Sequence, residues 1–99
     1  MPTYEETINQ VLKKIEHPEI ARTLFDLEMM RDIEIKRNKV KLSLILPMMN
    51  VPIQDYLKKE IKEVIGEKWP NMEVIINLKE MNEQERIKFV KIAKEAWRG

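Results

Sequence analysis

The chain has 99 residues, 18 basic and 17 acidic side chains, a net charge of +1, 43% hydrophobic residues and 35% charged ones. That balance fits one folded domain spanning residues 1–99 rather than a disordered chain, and it leaves no basic footprint for nucleic acid. With no cysteine and one histidine, His17, a single copy excludes disulfides, thiol chemistry and a mononuclear zinc site of His and Cys ligands.

In chain order, Thr3 with Glu6 reads as a capping box that opens a first helix. Ile8, Val11, Leu12 and Ile15 form its apolar stripe. His17-Pro18-Glu19 ends it, with His17 expected as an exposed helix-end residue, because the residue before proline avoids the helical region. Ile20 to Leu27 reads as a turn or short helix folding back under a sheet, with Leu24, Phe25 and Leu27 buried and Asp26 set among them. Met29 to Arg37 reads as a strand, Met29, Ile33 and Ile35 sharing one parity. Asn38 suits the left-handed turn position of a hairpin.

The return strand is the best-defined stretch. Val40, Leu42, Leu44 and Leu46 alternate with Lys41, Ser43 and Ile45, and Pro47 ends the run because it lacks an N–H for the ladder. Met48, Met49 and Asn50 make a loop, and Val51-Pro52 opens a helix, where a missing N–H costs nothing. Ile53, Leu57, Ile61, Val64 and Ile65 follow helical spacing, and Gly66 is placed to cap the C-terminus. After the turn Lys68-Trp69-Pro70-Asn71, a third strand alternates through Met72, Val74, Ile76 and Leu78. Asn82 with Glu85 is a second capping box, starting a helix that runs to about Trp97. That helix carries two apolar stripes, Ile87/Val90/Ala93/Trp97 and Phe89/Ile92/Ala96. The expected fold is α+β, a single small domain of α-β-β-α-β-α order with a small mixed sheet and helices packed mainly on one face. The third strand is expected to return parallel to the second.

With two glycines, Gly66 and Gly99, the chain can hold neither a P-loop nor a dinucleotide fingerprint. Ser43 lacks a nucleophile elbow, so no enzyme is expected. No apolar run spans a bilayer and no signal peptide is evident, so the expectation is a cytoplasmic protein with no membrane partner. Some residues admit two readings. Met48-Met49 could be soft-metal ligands or an adaptable contact surface, against an ordinary role filling the core at a corner. Asp26 could be an acid with a perturbed pKa, against a carboxylate capping nearby backbone N–H groups. Trp69 and Trp97 could be partner contacts, against core packing.

Taken together, Val11-Leu12, Ile15, Pro18-Glu19, Leu24, Asp26-Leu27, Met30, the hairpin, the strand into Pro47, Pro52 with Leu57 and Ile61, and Met72 to Leu78 resemble a known family. It is the small iron–sulfur cluster assembly domain of the SufT and PaaD type, also found at the front of Mrp-type P-loop ATPases. The tail from Asn82 to Gly99 resembles the stretch that precedes the ATPase part, which is not expected here. Two departures stand out. The family usually has aspartate where this chain has His17, and a reactive cysteine where it has Val51. A cysteine at a helix start would be acidified, but valine neither ligates iron nor carries sulfur. The loop Pro47 to Pro52 is also longer than usual for the family.

The resemblance implies a cysteine-less adaptor that takes part in iron–sulfur cluster assembly or protein maturation without holding a cluster or other cofactor. Its partner would be a protein: an iron–sulfur carrier, an Mrp-type ATPase or a client apoprotein, with a homodimer left open. The expected contact surface is Pro47, Met48, Met49, Asn50, Val51 and Pro52, with Asp26 and Met30. The alternative is a general interaction or oligomerisation domain unrelated to iron–sulfur chemistry.

Overall fold

The computed structural model describes residues 4–48 and 52–97. The elements are α1 (Tyr4–Lys13), β1 (Met30–Lys36), β2 (Lys39–Leu46), α2 (Pro52–Lys68), β3 (Glu73–Glu80) and α3 (Glu83–Ala96), the expected α-β-β-α-β-α order of an α+β fold. The sheet runs β1-β2-β3, with β1 antiparallel and β3 parallel to β2. Val40, Leu42, Leu44 and Leu46 are fully buried, and they join Ile8 and Leu12 of α1 and Leu57, Ile61 and Ile65 of α2 in one core. Ser43 and Ile45 point the other way and are buried too, so the Leu46 end of β2 is covered on both faces.

Asn38 takes the left-handed conformation (φ 65°), as its place in the hairpin requires. β1 departs from simple alternation. Met30 pairs with Leu44 and Ile35 with Val40, but the register slips between Arg31 and Glu34, where Asp32 has φ 56°. The extra residue is a β-bulge, and aspartate is among the few non-glycine residues that accept this backbone region. The bulge reverses parity, so Met30 rather than Met29 shares the core-facing side with Ile33 and Ile35. Met29 lies before the strand, buried, with its carbonyl accepting the Ile45 N–H at 2.7 Å.

The segment from Lys14 to Met29 forms turns without a helix. α1 ends at Lys13, earlier than expected, and its last turn tightens through Lys14 N–H to Val11 O and Ile15 N–H to Leu12 O, both 3.3 Å. The reason is competition: the Ile15 carbonyl accepts the Leu24 N–H at 2.8 Å, so it is not left for a further helical turn. His17 is not exposed, as expected from the sequence, but 4% accessible. Its Nδ1 accepts the Glu19 N–H at 3.0 Å, two residues on, the bond an aspartate makes in an Asx turn. Phe25 is also a correction, since it is exposed with the Lys13 ammonium 5.0 Å from its ring centroid.

Gly66 does not cap α2. The helix continues to Lys68, Gly66 has no positive φ, and the Trp69 N–H still bonds the Ile65 carbonyl at 2.9 Å. Pro70 stops it, because Trp69 as a pre-proline residue leaves the helical region. The turn closes through Met72 N–H to Trp69 O at 3.0 Å. At α3 the capping box forms as expected, Asn82 Oδ1 accepting the Glu85 N–H at 2.8 Å and Glu85 Oε1 the Asn82 N–H at 2.9 Å. The expected box at Thr3 lies outside the described residues. No helix among the described residues is long and apolar enough to cross a membrane.

Candidate functional site at the strand-to-helix corner

β2 delivers Pro47 and Met48 to one end of the sheet, and α2 starts at Pro52. The intervening Met49, Asn50 and Val51 lie outside the described residues. Because β1 is antiparallel to β2, its first residue lies beside the end of β2, and Met30 sits opposite Leu44. Met30 is 2% accessible and belongs to the core rather than to the exposed surface of the corner. Met48 is 63% accessible and does not fill the core, which corrects the ordinary reading of that methionine. Pro47 is half-buried and Pro52 exposed.

Asp26 lies in the turn that leads to Met29 and is exposed rather than set in an apolar environment. Its backbone N–H donates to Thr23 Oγ1 at 3.0 Å, while its carboxylate caps no backbone group among the described residues. Trp69 is half-buried and packs on the core, whereas Trp97 is exposed beyond α3.

Two residues at this end, Arg86 and Tyr56, are not expected from the sequence, and a third, Glu85, does more than the capping expected of it. Arg86 of α3 donates through Nε to the Pro47 carbonyl at 3.0 Å and through Nη2 to the Met81 carbonyl at 3.2 Å. It also pairs with Glu80 at 3.6 Å. The guanidinium thus satisfies a carbonyl that the end of β2 leaves without a ladder partner, and fixes the exit of the strand. No sequence signal joins residues that lie 39 positions apart. Tyr56 stands one turn after Pro52 and is exposed. Its signal was available, since it falls off the Ile53/Leu57/Ile61 stripe. Glu85 links the capping box to Arg31 of β1 at 2.6 Å. The Asn82 backbone bond and then the Arg31 charge hold its carboxyl below the usual glutamate range.

The corner therefore presents Met48, Pro52 and Tyr56 as exposed apolar surface beside a helix start that carries Asp55 in its first turn. No group of three potential metal ligands occurs among the described residues.

The sequence matches the iron-sulfur cluster assembly protein family over residues 5–76. The chain belongs to that family. The match runs from α1 through the corner and into β3, taking in His17, Asp26, Met30 and Pro47 to Pro52. The fold is similar to the crystal structure of a domain of unknown function, DUF59, from Bacillus anthracis. That similarity has a TM-score of 0.67 at 14% identity and covers 90% of this chain and 91% of that one. It shows a shared fold. No protein of curated function matches the sequence.

Proposed function

We propose that this member of the family is a non-enzymatic adaptor of the SufT/PaaD kind. It engages a protein partner at the corner and takes part in iron–sulfur cluster assembly without ligating the cluster. The observation that carries the reading is the exposure of Met48 on a strand end that Arg86 holds in place. A flexible thioether beside a fixed backbone suits recognition by shape. Val51, in the place of the family's usual cysteine, leaves recognition as the role open to this loop. The partner fitting this role is an iron–sulfur carrier, an Mrp-type ATPase or a client apoprotein in the cytoplasm.

The test is affinity capture on the intact chain, followed by calorimetry with the partner recovered. Met48→Asp with Met49→Asp is expected to weaken binding at least tenfold, about 1.4 kcal/mol. Lys58→Asp with Lys62→Asp, half-buried and exposed lysines of α2, should leave it unchanged. Full affinity in the corner variant would place the contact elsewhere. A second reading, a general interaction or oligomerisation domain, is favoured by the exposed Ile87, Val90 and Trp97. Capture of partners with no role in cluster assembly would support it.

A further inference from the structure

The opposite end of the sheet holds a second feature, independent of the corner. Since β2 and β3 run parallel with Lys39 opposite Glu73, the hairpin turn and the α2–β3 turn lie side by side. The Glu73 N–H bonds the Asn38 carbonyl at 2.9 Å and locks the two turns together. Between them, and reaching Glu5 of α1, is a cavity of about 600 Å³, the size of a small-molecule site.

Its walls have two chemistries. Ile35, Trp69 and Met72 line it and pack against the core on their other side, which makes an apolar floor with fixed backing. The cations Arg37 and Lys68 line it as well, against one carboxylate, Glu5, while the Lys36 side chain belongs to the other face of the sheet with Glu34, Lys39 and Lys41. Neither Arg37 nor Lys68 has an ion pair among the described residues, while Lys39 in the same hairpin is paired with Glu73. Unpaired like charges around one opening raise the local potential, and an anion lowers it. Tryptophan, methionine and arginine all make favourable contacts with aromatic rings. We propose that this cavity binds a planar aromatic anion, its ring on the Trp69–Met72 floor and its anionic group between Arg37 and Lys68.

The probe is anilinonaphthalene sulfonate, titrated by fluorescence into the intact chain. One equivalent is expected to bind. In a Trp97→Phe background, its binding should quench Trp69. Arg37→Glu with Lys68→Glu should weaken binding by at least about tenfold, and raised salt should weaken the wild type more than that variant. If charge reversal disturbs folding, Arg37→Gln with Lys68→Gln should give a smaller loss in the same direction. Phenyl phosphate should displace the probe at concentrations where inorganic phosphate does not. Unchanged affinity in both cavity variants would overturn the proposal. So would a loss found instead in Ile87→Glu with Val90→Glu on α3, or displacement by inorganic phosphate as effective as by phenyl phosphate.

Discussion

β2 and β3 are both eight residues long, run parallel and are paired along their whole length, yet they are buried very differently. In β2 six of the eight residues are buried, and in β3 none is, although Val74, Ile76 and Leu78 are as apolar as their partners Val40, Leu42 and Leu44. The difference is position. β2 has a strand on each side and cover on both faces at its Leu46 end, whereas β3 is an edge strand with one neighbour. Its flanks carry Glu73, Lys79 and Glu80, charges of the kind that discourage edge-to-edge pairing. Burial here follows from what covers a strand more than from what the strand is made of.

The sharpest way to break this comparison is to truncate one core-facing residue in each strand. Leu44 and Ile76 share the core-facing side, and Leu44 is fully buried while Ile76 is half-buried. Leu44→Ala should destabilise by about 2–5 kcal/mol. Ile76→Ala should cost less, about 2 kcal/mol or below, because part of its surface is already in water. Urea unfolding of both variants checks this. Equal losses would mean that the edge strand is covered in solution, by a second copy for example.

The next test concerns a polar group on the covered side. His17 is buried with Nδ1 accepting the Glu19 N–H. His17→Leu removes the acceptor and leaves that N–H without it, at a cost of about 1–3 kcal/mol. His17→Asn places an amide oxygen near the same point and should recover most of the loss. If both variants lose equally, the bond to the Glu19 N–H is not what His17 contributes.

Much of this was legible in the sequence, and the exceptions have a common cause. The β2 alternation, the left-handed Asn38, the helix start at Pro52 and the Asn82/Glu85 box depend on neighbours a few residues away, so local pattern reveals them. The Asp32 bulge does not show, because a single inserted residue shifts parity without changing composition. His17 looks like a helix end until the bonds from Leu24 to Ile15 and from His17 to Arg22 fold the segment over it. Arg86 at Pro47 is likewise a product of tertiary packing. At the candidate site, the sequence supplied the corner itself, while the exposure of Met48 and the burial of Met30 came from the fold.

Gly66 tests the uncovered side. A Cβ built there meets nothing within 4 Å, and its φ is not positive. Since the residue lies inside α2, alanine costs the folded chain nothing and narrows the unfolded ensemble. Gly66→Ala should stabilise by about 0.5–1 kcal/mol, seen as a higher urea midpoint with unchanged slope. Destabilisation would mean that the glycine is needed for a contact outside this chain.

The smallest expected effect is electrostatic and lies on the surface, at Glu85. Its carboxyl is held below the usual glutamate range by the Asn82 backbone bond first and the Arg31 charge second. The folded state therefore binds its proton less readily than the unfolded state does. Between the two pKa values the unfolded chain carries more protons, so stability rises with pH there. The contribution is fully present above the unfolded glutamate pKa, about 4.3, and is lost as pH falls through the lowered folded value. Glu85→Gln keeps an oxygen to accept the Asn82 N–H but removes the charge facing Arg31. Its deficit against the wild type should be largest at neutral pH and should shrink as the pH falls below the ordinary glutamate value. Thermal unfolding of both proteins from pH 7 down to pH 3 reads this directly. A deficit that grows on acidification would show that Glu85 is protonated more readily in the folded chain, and that the Arg31 pair does not hold in solution.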